Sequence, residues 1–246
     1  YVQASLDWME KAGLNATQSL ADLIDWVNPT GTLVLPTYPF HSTHREYLES
    51  SPSFDVRRTP SAIGLLPEMF RRTKGSIRSL DPDFCVSALG ADAAAIVGER
   101  PSGPDPFGAD SSYQRMLDRN CILVGLGVSL NTSSFIHAID SKMQASYPAA
   151  VYEAGDYHAT VIDTAGVAHS LSRKALRPAF QQLIKPSEIN AEMQPDGSVF
   201  RTLEIEGARF FKWHLSPWRD WCVAHARSCA AAAGWPCWLR AIGRIS

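Results

Sequence analysis

The sequence predicts an α/β fold of the three-layer α/β/α sandwich kind, with helices packed against a sheet. Three observations lead there. The first forty residues read as strand, helix, strand. The stretch Cys121–Asp140 (CILVGLGVSLNTSSFIHAID) runs from an apolar segment through glycines into a helix-compatible segment. The chain has 246 residues, 45% hydrophobic and 20% charged, enough to bury a substantial core as a single domain over 1–246.

Taken in order, YVQASL reads as the end of a strand turning into a helix. Thr17–Val27 places Leu20, Leu23, Ile24 and Val27 on one stripe, the pattern of an amphipathic helix. Asn28–Gly31 breaks it, and Thr32–Pro36 (TLVLP) is a short buried strand. Thr37–Phe54 is aromatic and polar, with Tyr38, Phe40, His41, His44 and Tyr47; it is either a pocket-lining loop or a solvent loop anchored by its rings. His41 and His44 have the spacing of metal ligands on a helix, but no third ligand lies nearby and no metal is expected.

Arg57–Arg72 opens with a helix-entry signal, Thr59 as cap and Pro60 at the first helical position. Pro67 then kinks that helix or starts a second one. Arg71, Arg72, Lys74 and Arg78 concentrate positive charge, which suits either a phosphate-bearing ligand or a solvated face.

In the central stretch, Cys121–Val124 suits a buried strand bounded by Gly125 and Gly127, and Asn131 or Thr132 can cap the helix that follows. On that helix His137 and Asp140 stand three apart on one face, where a carboxylate can orient and charge-stabilise an imidazole. Such a pair is either a helix-surface contact or a base with its own orienting group. Further on, Ala149–Thr164 reads as a hairpin turning at Gly155-Asp156, and Asn190–Leu203 as another turning at Pro195-Asp196-Gly197. Ser216 and Pro217 cap a helix through about Ala232. Trp213, Trp218, Trp221, Trp235 and Trp238 are five of the seven tryptophans. They either pack on the core or form a surface for a homodimer or an apolar carrier.

A net charge of −2 gives no footprint for nucleic acid or an anionic membrane. No apolar run reaches the length of a membrane span. Five cysteines without a C-x-x-C pair point to reduced thiols and a cytoplasmic protein.

Several blocks resemble, in order, those of the aminoglycoside 3-N-acetyltransferase family. FDVRRTPSAIGLLPEMFRR matches its TPS-x-x-G stretch, RSLDPDFCVSALG its RS-x-HP stretch, and PFGADSSYQRML its P-[FY]-G-x-x-S stretch. ILVGLGVSLNTSSFIHAID is similar to its strand, glycine turn and NT-x-x-H-x-x-E. GTLVLPTY is similar to its strand ending in Pro-Thr-aromatic, and EGARFFKWHLSPWRDWCVAHA more distantly to its closing region. YVQASL resembles its VHSSL element, which implies that about 25 residues of the usual amino terminus are missing.

The resemblance implies an α/β fold unlike the GNAT fold. It also implies transfer of an acetyl group from acetyl-CoA to an amine of an aminoglycoside or related amino sugar. The family's histidine and glutamate fall on His137 and Asp140. Imidazole suits removal of a proton from the amine near neutral pH, and the carboxylate fixes the ring and supports the imidazolium. No nucleophile elbow is present, so the amine attacks the thioester directly. Ser5, Leu6, Arg78, Ser79 and Cys85 are the expected CoA contacts, and Tyr38 and Asp81 the expected substrate contacts.

Four positions depart from the family pattern. Asp81 replaces the HP histidine, Cys85 a serine, Gln3 the HSSL histidine, and Asp140 the glutamate. The run from Gly127 to His137 is also about two residues longer than the pattern. Aminoglycosides are polycations, yet 25 Asp+Glu stand against 23 Lys+Arg with no acidic cluster by the site. A nucleotide-, lipid- or polysaccharide-linked amino sugar with one amine is therefore a competing acceptor, and a silent CoA- or sugar-binding relative is the non-enzyme alternative.

Overall fold

The structure is a computed structural model and describes residues 1–5, 11, 13–147, 149–183, 185–205 and 207–231. The first half contains β1 (Val2–Ala4), α1 (Ala16–Val27), β2 (Thr32–Pro36), α2 (His44–Glu49), β3 (Ser53–Asp55), α3 (Leu65–Arg72), β4 (Ile77–Arg78), β5 (Val86–Gly90), α4 (Ala93–Val97) and α5 (Ser112–Asp118). The second half contains β6 (Ile122–Leu126), α6 (Phe135–Met143), β7 (Tyr157–Ile162), β8 (Ala168–Arg173), α7 (Pro178–Leu183), α8 (Pro186–Met193), β9 (Phe200–Ile205), β10 (Ala208–His214) and α9 (Leu215–Ala231). A 3-10 turn, Leu130–Thr132, separates β6 from α6.

One sheet has the order β1-β6-β10-β9, a second β2-β5-β4 and a third β3-β7-β8. β1 runs parallel to β6, with Gln3 opposite Gly125, and β2 lies beside β1. Alternation along these strands feeds two cores, because successive side chains leave a strand on opposite faces. Val2, Leu33 and Leu35 pack on one side with Leu20 of α1 and Leu66 and Phe70 of α3. Tyr1, Val34, Val86, Ala88 and Leu123 point the other way, into a larger core with α4, α5, α6 and α9. Helices therefore cover both faces, as the three-layer expectation requires.

The elements read from periodicity are present. α1 carries the predicted stripe and is capped by Asn15, whose side chain accepts from the N–H groups of Thr17 and Gln18. β2 spans Thr32–Pro36 as expected.

Elements read from turn and cap residues moved. Thr59 caps no helix: its hydroxyl accepts from the Asp55 N–H at 2.8 Å, and α3 starts only after Gly64, which has φ +130°. Pro67 falls in the first turn of α3, where its missing N–H costs nothing. The aromatic stretch after β2 is not all loop, because Thr43 and Glu46 form a capping box that opens α2.

Both hairpins turn elsewhere. β7 pairs with β8 across Asp163–Gly166, where Asp163 Oδ1 accepts from Ala165 and Val167 N–H, so Gly155-Asp156 lies before the hairpin. Asn190 belongs to α8, and the second hairpin joins β9 to β10 with Ala208 opposite Ile205. Ser216 binds the Leu117 carbonyl at 2.9 Å rather than capping α9.

Trp213 and Trp218 are fully buried with ring centroids 4.4 Å apart, so both belong to the core rather than to a surface. Trp235 and Trp238 lie outside the described residues. No helix among the described residues is long and apolar enough to cross a membrane.

Candidate active site

α6 positions the central pair. Phe135, Ile136, Ala138, Ile139 and Met143 are all buried, so the helix sits inside the molecule and not on its surface. That burial forces its polar residues to find partners. His137 Nδ1 lies 3.0 Å from Asp140 Oδ2, and Asp140 Oδ1 accepts from the Tyr147 hydroxyl at 3.1 Å.

Asp140 is fully enclosed, while the His137 side chain keeps 10% of its surface accessible. With a carboxylate as acceptor, Nδ1 carries the hydrogen and Nε2 is left as the basic nitrogen. Burial pushes the Asp140 carboxyl above its ordinary value of 3.8, and the His137 and Tyr147 bonds pull it back. The Phe107 ring packs 5.3 Å from the imidazole, and Phe84 lies tilted against Phe107 at 4.6 Å. Asp105 braces the same helix, accepting from the Ser141 hydroxyl at 2.7 Å and from the Tyr152 hydroxyl.

Two clefts flank the segment that leads into α6. One, about 270 Å³, opens at the carboxyl ends of β1 and β2 and is lined by Gln3, Ala4, Pro36, Tyr38, Leu66 and Thr132 among others. The carboxyl edge of parallel strands is where α/β sheets commonly receive ligands. The other, about 740 Å³, lies beyond Val128 between Ser129, Asn190, Thr202 and Glu204. Val128 lines both.

Gln3 ties β1 to the wall between the clefts. Its Nε2 donates to the Thr132 carbonyl at 3.0 Å and its Oε1 accepts from the Thr132 hydroxyl. Asn131 Oδ1 holds the other side, accepting from the Ser187 N–H at 2.9 Å.

Tyr38 lines the smaller cleft, and its hydroxyl donates to Ser134 Oγ at 3.1 Å. The Ser5 N–H continues the β1–β6 ladder to Leu126 O at 3.0 Å, and Leu6 lies outside the described residues. Arg78 is buried: its guanidinium binds the Thr37 and Thr59 carbonyls and the Thr37 hydroxyl, and it covers the Phe54 ring at 4.6 Å. A phosphate at Arg78 would have to displace those bonds. Ser79 is buried and accepts from the Val86 N–H at 3.1 Å.

Cys85 is fully buried, its thiol donating to the Thr37 carbonyl at 3.0 Å, and burial pushes that thiol up. Asp81 is buried too, bonded by the Ser102 hydroxyl and N–H. Arg71 and Arg72 both pair with Glu68; Arg71 is largely covered, while Arg72 and Lys74 are exposed, as on a solvated face.

Sequence reasoning did not find Tyr147, Tyr113 or Ser134, nor the buried group of His44, Asp83 and Arg173. His44 Nε2 lies 3.0 Å from Asp83 Oδ2, and its Nδ1 accepts from the Leu176 N–H at 3.0 Å. Arg173 grips Asp83 through two nitrogens. The partners are 39 and 90 residues apart, and no local pattern marks them. Among the described residues no group of three or more His, Cys, Asp or Glu has the arrangement of a metal site.

The fold and this pair define an α/β protein with a buried imidazole–carboxylate couple on the helix that follows a parallel strand. The chain belongs to the aminoglycoside 3-N-acetyltransferase family, whose profile it matches over residues 1–217.

It is 29% identical over 136 residues to aminoglycoside N(3)-acetyltransferase VII of Streptomyces paromomycinus, covering 50% of this chain and 47% of that protein. It is 30% identical over 128 residues to aminoglycoside N(3)-acetyltransferase IX of Micromonospora chalcea, covering 47% of this chain and 45% of that one. The matches thus span just under half the length of these relatives. Among solved structures, AAC-IIIb in a binary complex with CoASH has 19% identity and a TM-score of 0.71, covering 92% of this chain and 88% of its own. The fold is the α/β type of these acetyltransferases and not the GNAT fold.

Proposed function

We propose that this chain is an acetyl-CoA-dependent N-acetyltransferase that modifies an amino group of an aminoglycoside or related amino sugar. The observation that carries the reading is the buried couple of His137 and Asp140 at 3.0 Å, on the helix that follows the parallel strand β6.

His137 Nε2 is the general base that takes the proton from the attacking amine, a role worth roughly 10²–10⁴-fold in rate. Asp140 holds the ring and stabilises the imidazolium, and Tyr147 holds Asp140. An acetyl thioester supplies an activated carbonyl carbon, so the protein needs no nucleophile of its own.

The smaller cleft suits the narrow arm of such a donor, with apolar walls from Leu35, Ile63, Leu66 and Pro67 and polar ends at Gln3, Tyr38 and Thr132. In this reading Ser5 borders the donor at the end of β1. Arg78, Ser79 and Cys85 act from behind, because their bonds hold Thr37 and β5 in place. Tyr38 lines that cleft with its hydroxyl bonded to Ser134, and Asp81 is held within the protein by Ser102. The resemblance of the fold to an acetyltransferase complexed with CoASH supports a CoA-linked donor.

One observation favours an acceptor with a single amine, such as a nucleotide-, lipid- or polysaccharide-linked amino sugar. The carboxylates of Asp81, Asp83 and Asp140 are buried and bonded inside the protein, so they do not present the open anionic cleft a polycation favours. The test is thiol release from acetyl-CoA with kanamycin- and gentamicin-type amines and with nucleotide-linked amino sugars. Turnover on at least one, lost in His137→Ala, supports the reading. CoA binding without turnover on any of them indicates a silent relative.

A further inference from the structure

Ser134 occupies the cap position of α6, yet its side chain bonds none of the helix's own N–H groups. It accepts instead from the Tyr38 hydroxyl at 3.1 Å. Two more phenols stand behind Tyr38. The hydroxyls of Tyr38 and Tyr113 are in hydrogen-bond contact, and the Tyr113 hydroxyl lies 3.5 Å from that of Tyr1.

A phenol has one proton to give. Tyr38 gives its proton to Ser134, so Tyr113 donates to Tyr38, and Tyr1 to Tyr113. All three rings are buried, and burial raises each phenol above its ordinary value of 10.0, which keeps them protonated donors. The protons therefore point one way and end on Ser134, whose own proton has no acceptor among the described residues.

Hydroxyls aligned head to tail polarise one another, and the last in the row becomes the strongest donor. Ser134 is half-buried. It stands one helical turn before His137, on the same side of the helix, and the His137 N–H bonds the Ser134 carbonyl at 3.1 Å. Its neighbours Tyr38 and Thr132 both line the smaller cleft.

Resting on the acyl-transfer reading above, we propose that Ser134 is a further catalytic residue. Its hydroxyl, polarised by the row Tyr1–Tyr113–Tyr38, donates to the thioester carbonyl oxygen as negative charge builds there. In the transfer the amine nitrogen bonds the carbonyl carbon and its proton passes to His137 Nε2. The carbon–sulfur bond then breaks, and the departing thiolate takes that proton from His137.

The test is a double-mutant cycle on kcat and KM for the best acceptor. Ser134→Ala lowers kcat by about 100-fold with KM nearly unchanged, the usual loss for one such donor. Ser134→Thr, which keeps a hydroxyl, recovers most of it. Tyr38→Phe alone costs roughly 10-fold, the scale of one hydrogen bond, and costs nothing further in the Ser134→Ala background because it acts through Ser134. Parental kcat in Ser134→Ala, or an undiminished Tyr38→Phe loss in that background, overturns the proposal. His137→Ala in the same assay separates the two levels. If it is inactive while Ser134→Ala is parental, only this inference falls; if it still turns over, the acyl-transfer reading falls with it.

Discussion

Two buried carboxylates in this protein, Asp83 and Asp140, are shifted in opposite directions by their surroundings. Burial alone raises an acid. At Asp83 the Arg173 guanidinium and His44 outweigh burial and hold the carboxyl well below the usual range. At Asp140 burial outweighs the bonds from His137 and Tyr147 and raises the carboxyl.

The signs follow by linkage. Asp83 contributes stability that is present above its unfolded pKa and is lost as pH falls toward its depressed folded one. Asp140 binds its proton more readily folded than unfolded. Between its ordinary 3.8 and its raised folded value, its contribution therefore weakens as pH rises. Asp140→Asn removes that slope, so urea unfolding of the variant varies less with pH just above 4 than unfolding of the parent. The same variant loses about 100-fold in kcat, because an amide no longer supports the imidazolium. A variant with parental kcat and the parental pH slope would leave Asp140 without the role assigned to it.

At the scale of elements, the couple was legible and its surroundings were not. His137 and Asp140 are three apart on one helix, and helical geometry alone brings them together. The strands Thr32–Pro36 and Ile122–Leu126 and the helix from Ala16 were legible for the same reason, since periodicity is a local signal.

Turns and caps are degenerate. Gly155-Asp156 and Asp163–Gly166 carry equally good turn chemistry, and the pairing of β7 with both β3 and β8 chose the second. Thr59-Pro60 looks like a helix start, but Asp55 claims its hydroxyl. Arg173 was invisible because its partners come from loops 70 to 90 residues earlier. It joins β8 to Asp83, to Ser102 and to the Gly103 carbonyl with no exposed surface. Arg173→Met leaves the Asp83 carboxylate buried without its cation, and denaturant unfolding should show a loss of about 3–5 kcal/mol. A loss below about 1 kcal/mol would mean that the pair is no brace.

Across the whole molecule, the two larger cores lie on opposite sides of β1, β2 and β6, and a third, smaller one gathers Phe54, Val56, Cys85 and Val161. The largest runs from Tyr1 through Phe135 to Trp218, so the amino terminus, α6 and α9 share one packing unit. Trp218→Ala opens a cavity there and should cost about 3–5 kcal/mol by urea unfolding. A cost near zero would place Trp218 outside the core.

The family relation was readable because its blocks occur in order along the chain. The acceptor was not, because charge totals say nothing of which carboxylates face a cleft. The most direct measurement of the central claim is thiol release from acetyl-CoA with an amino-sugar acceptor, parent against His137→Ala at equal folded concentration. At least a 100-fold loss of kcat, with CoA still bound, is the predicted result. Turnover by His137→Ala at the parental rate would contradict it.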